Sequence, residues 1–553
     1  MTTENQTIGF TPLASVVSQQ QLIEATSIVA YHSQGNVLVI GSSEDALAAV
    51  SQLSGLKATV VTIDPQCTSI EKKLTEDGVS LYQTSSLQLV GYLGHYHAVA
   101  IGDADQLDLG VGVYLETGLF DLVLDLSAEP HLASELAPFG YLHAPDAATL
   151  AEALAQLPDL IGDFEKPKYF NYRADVCAHS RSELNGCTNC IDVCAANAIT
   201  TRGEGISVDA HLCQGCGSCA TVCPSGAMSY AYPRASDAIG RSRKLMAELE
   251  NCSVVLLHCE DHQQQVDDAI LPINVLALAV EEVTAFGMDY WAALLASGIQ
   301  RIYLVFGSEK KRSDRDAVLE QAEWFHQLMA GLGVSNEIVI AISEVDLTTL
   351  ATRVLPENAL VGMQAATFDT HDDKRQTLRM AIDHLYEQLG CVQDVQPLPA
   401  NAAHGLISID ESSCTLCMAC VSVCPSKALL DGQESPAVRI IEANCLQCGL
   451  CDAACPESAI TLKSQYRYDS IDARKILTLN EEEPFHCVTC HKAFASQGMI
   501  RNMLGKLTSH WMYQDEKALR RLKMCDDCRV KDIFNDDGDV GIEIHRDSKV
   551  EET

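Results

Sequence analysis

The stretch Cys213-Gln-Gly-Cys216-Gly-Ser-Cys219-Ala-Thr-Val-Cys223-Pro224 places four cysteines at intervals of two, two and three residues, followed by a proline. Three closely spaced thiolates on a tight turn can each reach a different iron of one [4Fe–4S] cubane. The fourth thiolate opens a short helix that points away, so it binds the neighbouring cluster. Proline suits the first position of that helix, where no amide donor is needed. The stretch therefore predicts half of a two-cluster ferredoxin module of the bacterial type.

The same motif begins again at Cys414 and at Cys445, and these two runs lie in one module at 396–470. Similar apolar stretches, Gly205-Ile-Ser-Val-Asp209 and Gly405-Leu-Ile-Ser-Ile-Asp410, lead into the runs at Cys213 and Cys414, which indicates an internal repeat. Zinc also accepts four thiolates, but it explains neither the runs of four cysteines nor the proline that follows them. Exchange of the fourth cysteine between the two runs predicts two ligand sets, which are Cys414, Cys417, Cys420 and Cys455, and Cys445, Cys448, Cys451 and Cys424.

The run that pairs with the opening stretch, in the module at 166–232, departs from the pattern. Nine residues separate Cys177 from Cys187, and Ala195 stands where proline is expected. Gly186 would ease a turn that brings the enlarged loop back toward the cluster. The alternatives are a [3Fe–4S] cluster without Cys177, or ligation by His179. The two predicted sets are Cys177, Cys187, Cys190 and Cys223, and Cys213, Cys216, Cys219 and Cys194.

The carboxy-terminal segment at 471–553 contains two further cysteine pairs, each separated by two residues, on either side of a predicted helical stretch at 498–522. Four thiolates in two such pairs are typical of a closed structural zinc site, in which the metal stabilises a segment too small to fold alone. Mononuclear iron and a reducible thiol pair are the alternatives, and His486, His491 or His510 could replace a cysteine. The predicted ligands are Cys487, Cys490, Cys525 and Cys528.

The composition indicates a reducing compartment and excludes some partners. A secreted chain with 24 cysteines would be short and would carry a signal peptide, but the start, MTTENQTIGF, has neither a basic nor an apolar region. No stretch approaches the roughly 18 unbroken apolar residues of a membrane helix. A net charge of −37 disfavours nucleic acid and favours docking onto a basic face of a redox partner. We therefore predict a cytoplasmic protein without membrane insertion.

Two regions without clustered cysteines, 1–165 and 233–395, alternate apolar strands with helical stretches. This alternation is typical of parallel sheets in Rossmann-like or flavodoxin-like domains. Strands are predicted at 36–41, 58–64, 97–102 and 120–126 and at 253–257, 274–278, 301–306 and 337–341, and helices at 42–53, 286–297 and 314–332.

The first of these regions has a degenerate nucleotide-binding pattern. Gly41 follows a strand, and Asp64 ends the next strand at the distance expected for a ribose-binding acid. Ser43 replaces the second glycine of the fingerprint, and its side chain would crowd a pyrophosphate. Flavin or nicotinamide binding is therefore disfavoured without being excluded, and a docking role is favoured. No catalytic motif stands out, so an electron-transfer subunit or accessory protein is predicted rather than a stand-alone catalyst.

Together these patterns predict a multidomain protein of the α/β plus α+β class. Two Rossmann-like or flavodoxin-like domains are interleaved with two ferredoxin modules that hold four [4Fe–4S] clusters, and a small zinc-binding segment with an acidic tail follows. The predicted boundaries are 1–165, 166–232, 233–395, 396–470 and 471–553.

Four stretches resemble the proteobacterial 4Fe–4S binding proteins that are associated with formate dehydrogenase. The stretches are Phe120-Asp-Leu-Val-Leu-Asp-Leu-Ser127, Cys177-Ala-His-Ser-Arg-Ser, Gly186-Cys-Thr-Asn-Cys-Ile-Asp-Val-Cys194 and Arg521-Leu-Lys-Met-Cys-Asp-Asp-Cys-Arg-Val530. This resemblance covers most of the chain. It implies electron transfer to or from a molybdenum or tungsten formate dehydrogenase, or support of the assembly of that enzyme.

The region at 233–395 is similar to the small iron–sulfur subunit of methyl-viologen-reducing hydrogenases. The similarity rests on Leu271-Pro-Ile-Asn-Val275, Glu281-Glu-Val283 and Gly287-Met-Asp-Tyr-Trp291. That subunit carries extra cysteines for a cluster of its own, and this sequence lacks most of them. Three hypotheses follow, namely an electron carrier, a maturation or scaffold protein for an oxidoreductase, and a flavin-dependent reductase subunit.

Overall fold

The computed structural model describes residues 25–249, 252–272, 274–307, 312–334, 337–350, 360–433 and 435–536. Both ends of the chain, at 1–24 and 537–553, therefore lie outside the described residues, and so does the predicted acidic tail. The chain divides into two compact units. The first comprises Met1–His179 and Thr188–Gln393, and the second comprises Ser180–Cys187 and Asp394–Thr553.

The amino-terminal part of the first unit contains a six-stranded sheet. In spatial order its strands are Tyr141–His143, Leu122–Asp125, Asn36–Ile40, Lys57–Ile63, Ser80–Thr84 and Glu71–Leu74, and all but the last run parallel. Asn36–Ile40 and Leu122–Asp125 are buried at every residue, as expected for strands covered on both faces. Helices at Ser43–Val50 and Ala147–Gln156 accompany the sheet. The strands predicted at 36–41, 58–64 and 120–126 are confirmed.

The strand predicted at 97–102 exists as His97–Ile101, but its expected place in the parallel sheet is wrong. It pairs antiparallel with Ser86–Val90 and Gln106–Asp108 in a separate three-stranded sheet. Ala98 and Ala100 are buried and the residues between them are partly exposed, so only one face of the strand is covered. That alternation is typical of an antiparallel sheet with one solvated face.

A second, fully parallel sheet forms the core of the region after residue 250. Its strands, in spatial order, are Val275–Val280, Val254–Cys259, Arg301–Phe306 and Val339–Ser343. The helices Ala235–Glu248, Met288–Ala296, Ser313–Ala330 and Lys374–Leu389 belong to this region. All four predicted strands and both predicted helices are present, with their bounds moved by a few residues. The assignment of either sheet to the Rossmann or flavodoxin type stays a prediction.

The two cysteine-rich modules are built from short hairpins and short helices. In the first, Phe170–Tyr172 pairs with Met228–Tyr230 and Ile199–Arg202 with Gly205–Val208, and the helices are Asn189–Asp192 and Ser218–Val222. In the second, the strands are Val395–Pro397, Gly405–Ile409, Leu429–Asp431, Ala437–Ile441, Ile460–Arg467 and Ile476–Glu481, and the helices are Ala419–Ser422, Leu450–Ala453 and Ser470–Ala473. Strands precede the intact run in both modules, as the repeat predicts.

The carboxy-terminal segment belongs to the second unit. It consists of a hairpin, Pro484–His486 with Ala493–Ser496, and the helices Gln497–Leu507, Glu516–Arg521 and Asp526–Asp536. The described residues also contain the strands Ile28–Ser33, Gly162–Pro167, Ser180–Arg181 and Leu184–Asn185, the short helices Leu109–Gly112, Gln263–Asp268 and Glu344–Leu347, and several 3-10 turns.

The helix Met288–Ala296 is buried along its whole length, and it packs against the helices Lys374–Leu389, Ala235–Glu248 and Ser313–Ala330. Trp291 is fully buried there and lies edge-on to Phe325, with 5.8 Å between ring centroids. We expect Trp291→Ala to lower the free energy of unfolding of this region by about 3–5 kcal/mol. Trp511→Ala, which removes a side chain that is 75% exposed, is the matched control and should change it by less than about 0.5 kcal/mol. Proteolysis at graded urea concentrations measures both, and equal effects would contradict the assigned core.

Candidate iron–sulfur and metal sites

The thiols predicted to bind the cluster at Cys213 line a single pocket in the first unit. Cys219 lies in the helix Ser218–Val222, and Cys194 follows the helix Asn189–Asp192 after a single residue. The prediction that the fourth cysteine of a run opens a short helix is wrong, because Cys194 and Cys223 each come after the end of one. These two helices pack against each other, so cysteines that are distant in sequence meet. The pocket is lined by Cys194, Cys213, Cys216 and Cys219 and by apolar side chains that include Phe170, Ile199 and Val208.

The electrostatics of this pocket fit a positively charged metal cluster. Burial raises the pKa of Cys216 to about 12 and that of Cys219 well above its usual range, and neighbouring thiols add to both shifts. Iron ions would supply the positive charge that such thiols need in order to ionise. The backbone N–H of Ala198 donates to Sγ of Cys194 at 3.2 Å, a hydrogen bond that favours the thiolate. The donor set therefore fits a [4Fe–4S] cluster.

Three of the four thiols predicted for the other cluster of this module also lie together. Cys177, Cys190 and Cys223 are buried in one apolar cluster with Met228, whose N–H donates to Sγ of Cys223 at 3.3 Å. Burial and a hydrogen bond with Cys177 raise the pKa of Tyr172 to about 12. The same cluster also contacts Cys194, Cys213 and Cys219, so the grouping of Cys177, Cys190 and Cys223 into one ligand set stays a prediction.

The enlarged loop of the first module forms a hairpin. Ser180–Arg181 pairs with Leu184–Asn185, and the chain reverses at Ser182 and Glu183, which have φ values of 50° and 64°. The reversal therefore lies before Gly186, the residue expected to ease it. Positive φ at two successive residues is the pattern of a tight hairpin turn, here made without glycine.

Cys187 ends the segment Ser180–Cys187, which groups with the second unit. Its role as the fourth ligand of the set at Cys177 stays a prediction. The alternative ligand His179 is buried, and its Nε2 lies 3.1 Å from Oγ1 of Thr201.

In the second unit, the set predicted at Cys445 lines one small pocket. Apolar residues such as Ile407 and Leu429 complete its wall. Nε2 of Gln447 donates to Sγ of Cys445 at 3.2 Å, the kind of hydrogen bond to sulfur that tunes a cluster potential. The four cysteines of the pocket are Cys424, Cys445, Cys448 and Cys451.

In the remaining predicted set of the second module, the thiol of Cys420 interacts electrostatically with the three other cysteines. Burial raises the pKa of its thiol to about 12, and Cys417, Cys414 and Cys455 are the next largest causes. These are the three other members of its predicted set. The N–H of Ala459 donates to Sγ of Cys455 at 3.3 Å, which matches the contact at Cys194 in the first module. The two modules thus share this stabilisation of the fourth ligand.

Residues of the second sheet region hold the cysteine loop of the first module, which the sequence did not predict. Oγ1 of Thr284 donates to the carbonyl oxygen of Cys216 at 2.6 Å, and Oγ1 of Thr221 donates to the carbonyl oxygen of Thr284 at 2.8 Å. Gly217 adopts a φ of 77°, and a Cβ there would lie 2.4 Å from Cβ of Ala285. Only glycine satisfies both constraints. No spacing pattern could reveal these contacts, because the partners lie more than 60 residues apart.

The four predicted cysteines of the carboxy-terminal segment converge on one point. The first pair lies in the turn of the hairpin Pro484–His486/Ala493–Ser496, and the second pair lies at the start of the helix Asp526–Asp536. Among the described residues this is the group whose ligand atoms lie close enough to share one ion, and no histidine belongs to it. The ligand atoms lie within 4.8 Å of one another and belong to Cys487, Cys490, Cys525 and Cys528.

The thiols of this group ionise unequally. Burial opposes ionisation of Cys487, but N–H donors that include those of Cys490 and Cys525 lower its pKa to about 5. Hydrogen bonds with the other thiols raise the pKa of Cys528 to about 12. Opposite pKa shifts within one group of four thiols indicate that their thiolates repel one another, a repulsion that a cation between them would relieve. The donor set fits a tetrahedral metal ion.

The residues of the degenerate nucleotide pattern make local contacts. Oγ of Ser43 lies 3.2 Å from Oγ1 of Thr62, and the carboxylate of Asp64 accepts a hydrogen bond from Nε2 of Gln83 at 3.3 Å. A side chain at Gly41 would meet Leu126 at 3.1 Å. The expectation that flavin or nicotinamide binding is disfavoured here stays a prediction.

These sites define the class of the molecule, which is an iron–sulfur electron-transfer protein with 4Fe–4S dicluster domains. Models of the 4Fe–4S dicluster domain match residues 185–227 and residues 406–456. Among curated proteins the chain is similar to hydrogenase-4 component A of Escherichia coli (strain K12), with 50% identity over 40 residues. The match covers 7% of this chain and 20% of that relative. Across the described residues, the structure contains no helix with the length and hydrophobicity required to span a bilayer.

We expect Cys525→Ser to remove one bound zinc ion per chain, because a tetrathiolate site that loses one ligand binds its ion far more weakly. Cys67→Ser is the control, since Sγ of Cys67 donates to the carbonyl oxygen of Ser69 at 2.9 Å and lies outside the four-thiol group. Elemental analysis gives zinc and iron per chain for both variants. Unchanged zinc in Cys525→Ser would refute the site, whereas iron should stay constant in both.

Proposed function

We propose that the chain holds four [4Fe–4S] clusters, two in each dicluster module, and carries electrons one at a time. The observation that supports this most directly is the lining of the two pockets. Exchange of the fourth cysteine predicts two sets of four thiols from spacing alone, and each pocket is lined by one complete set. The other two clusters would bind to the sets at Cys177 and Cys414. We retain the five-part division of the chain as part of this proposal.

Each cluster, when bound, exchanges one electron at a potential that its surroundings set. The protein contributes ligands, exclusion of water and hydrogen bonds to sulfur. The donors on Cys194, Cys445 and Cys455 stabilise negative charge on sulfur, which raises the potential of the attached cluster. No residue in either pocket is needed for bond-making chemistry, so the proposed role is that of an electron carrier.

We propose zinc for the carboxy-terminal group, in a structural role. A site closed by four thiolates leaves no position for substrate, and its small hairpin and helices have little core of their own. The elemental analysis of Cys525→Ser distinguishes zinc from the two alternatives, mononuclear iron and a thiol pair.

For the partner we propose an oxidoreductase of the formate dehydrogenase type, in the cytoplasm. The resemblance of four sequence stretches supports it, and the excess of 75 acidic over 38 basic residues suits a basic docking face. The similarity to a hydrogenase component extends over 40 residues and adds support for a redox partner without identifying one. A maturation or scaffold role is the second candidate, favoured by the same resemblance.

We expect Cys448→Ala to lower the iron content from about 16 to about 12 atoms per chain, because its cluster loses one of four ligands. Cys187→Ala should remove the same amount from the first module if the hairpin returns Cys187 to its set. Cys252→Ala is the control, since its Sγ contacts the carbonyl oxygen of Val254 and it belongs to no set. Iron and sulfide analysis of protein purified without oxygen measures all three. Unchanged iron in either variant would refute that ligand assignment.

We expect formate to reduce the clusters only when a formate dehydrogenase is present, and the rate to fall as salt screens the acidic surface. Stopped-flow absorbance under anaerobic conditions at two ionic strengths measures this. Binding confined to the apo-enzyme, without cluster reduction, would instead support the maturation role. A flavin released on denaturation would support the reductase.

A further inference from the structure

Two lysines from outside the cysteine runs direct their ammonium groups into the first module. Nζ of Lys374, at the start of the helix Lys374–Leu389, donates to the carbonyl oxygens of Ala220, at 2.9 Å, and of Thr221. Nζ of Lys166 donates to the carbonyl oxygen of Cys213 at 2.6 Å. Both cations therefore bind the backbone of the loop that carries the predicted cluster ligands.

The position of Lys374 is special because its acceptors lie between two ligands. Ala220 and Thr221 are two of the three residues between Cys219 and Cys223. The proposed ligand sets give Cys219 to one cluster and Cys223 to the other. The ammonium group of Lys374 therefore contacts the short helix that joins the two clusters.

Groups of both charge signs surround Lys374. Its ammonium group is buried, which lowers its pKa, while Asp289 and the thiols of Cys223 and Cys219 oppose that shift. Asp289 is 6% exposed and lies in the helix Met288–Ala296, which packs against the helix Lys374–Leu389. Burial raises the pKa of Asp289, and Lys374 opposes that rise. Arg375, the next residue, donates to the carbonyl oxygen of Pro224 at 3.2 Å, whereas Asp372 and Asp373 directly precede Lys374 in the chain. The charge that can act on the clusters is therefore the ammonium group itself, held at the backbone between two predicted ligands.

We propose that Lys374 raises the reduction potentials of both clusters in the first module, and that Asp289 counteracts it. This inference rests on the proposed ligand sets. Reduction adds one electron, and therefore one negative charge, to a cluster without making or breaking a bond. A cation held in a poorly solvated environment stabilises that added charge, whereas a nearby carboxylate destabilises it. Lys166 acts in the same direction, mainly on the cluster at Cys213.

Charge explains this placement better than packing does. A side chain needed only to fill space would not donate to two carbonyl oxygens that lead directly into cluster ligands. Lys166 also donates to the carbonyl oxygen of His211 at 2.9 Å, so both lysines bind pairs of backbone oxygens at or next to predicted ligands.

The test is a potentiometric titration of the full chain, purified and handled without oxygen, with dithionite as reductant and electron paramagnetic resonance as readout. Signals are assigned to the first module by their loss in Cys190→Ala and Cys216→Ala. Lys374→Met should lower both potentials, with at least a tenfold fall in the reduction equilibrium constant, which is 59 mV for one electron. Asp289→Asn should shift them in the opposite direction. Lys57→Met, which removes an exposed lysine, is the control and should leave them unchanged.

Opposite shifts in Lys374→Met and Asp289→Asn, with iron content retained, support the inference. Unchanged potentials in Lys374→Met, or shifts of the same sign in both variants, overturn it. If Lys374→Met loses iron, the sign of the shift in Asp289→Asn decides. The iron content of the unmodified protein is measured separately, and a value well below that of four clusters would contradict the proposed function instead.

Discussion

The constraint on which both modules depend is the exchange of the fourth cysteine between two runs. A cubane needs four thiolates around it, and a short run on a tight turn supplies three. The fourth must come from the other run, so the short helices that lead into the exchanged cysteines have to pack side by side. Asn189–Asp192 packs against Ser218–Val222 in the first module, and Ala419–Ser422 against Leu450–Ala453 in the second. Hairpins, apolar walls and backbone donors to sulfur are arranged around that pairing.

Much of this arrangement follows from the sequence, because it is encoded locally. Intervals of two, two and three residues determine which thiols can meet, and apolar runs located three of the six strands of the first sheet and all four strands of the second. The strand at His97–Ile101 was placed in the wrong sheet, since its four apolar residues after His97 conceal a one-sided burial that only the fold reveals. The turn at Ser182 and Glu183 was missed because neither residue usually adopts positive φ.

What the sequence could not predict depends on contacts between distant residues. Thr284 hydrogen-bonds the backbone of Cys216 across 68 positions, and Lys374 reaches Ala220 across 154. Neither residue belongs to a motif, and a threonine or a lysine outside a motif is ordinarily assigned to the surface. Cysteine spacing thus predicts where electrons can reside, whereas the environment that sets their energy comes from the neighbouring sheet region.

This separation allows one chain to meet two electrostatic requirements at once. Its many exposed carboxylates act through water and salt, so they influence a partner at a distance but are screened over roughly 8 Å at physiological ionic strength. The ammonium groups of Lys166 and Lys374 lie close to the predicted cluster ligands and are poorly solvated, so salt screens their effect on the clusters only weakly. A strongly acidic surface for docking can therefore coexist with buried cations that bind the backbone of the first module. A small ferredoxin, which has no adjoining domain to supply buried cations, has fewer ways to set these two properties independently.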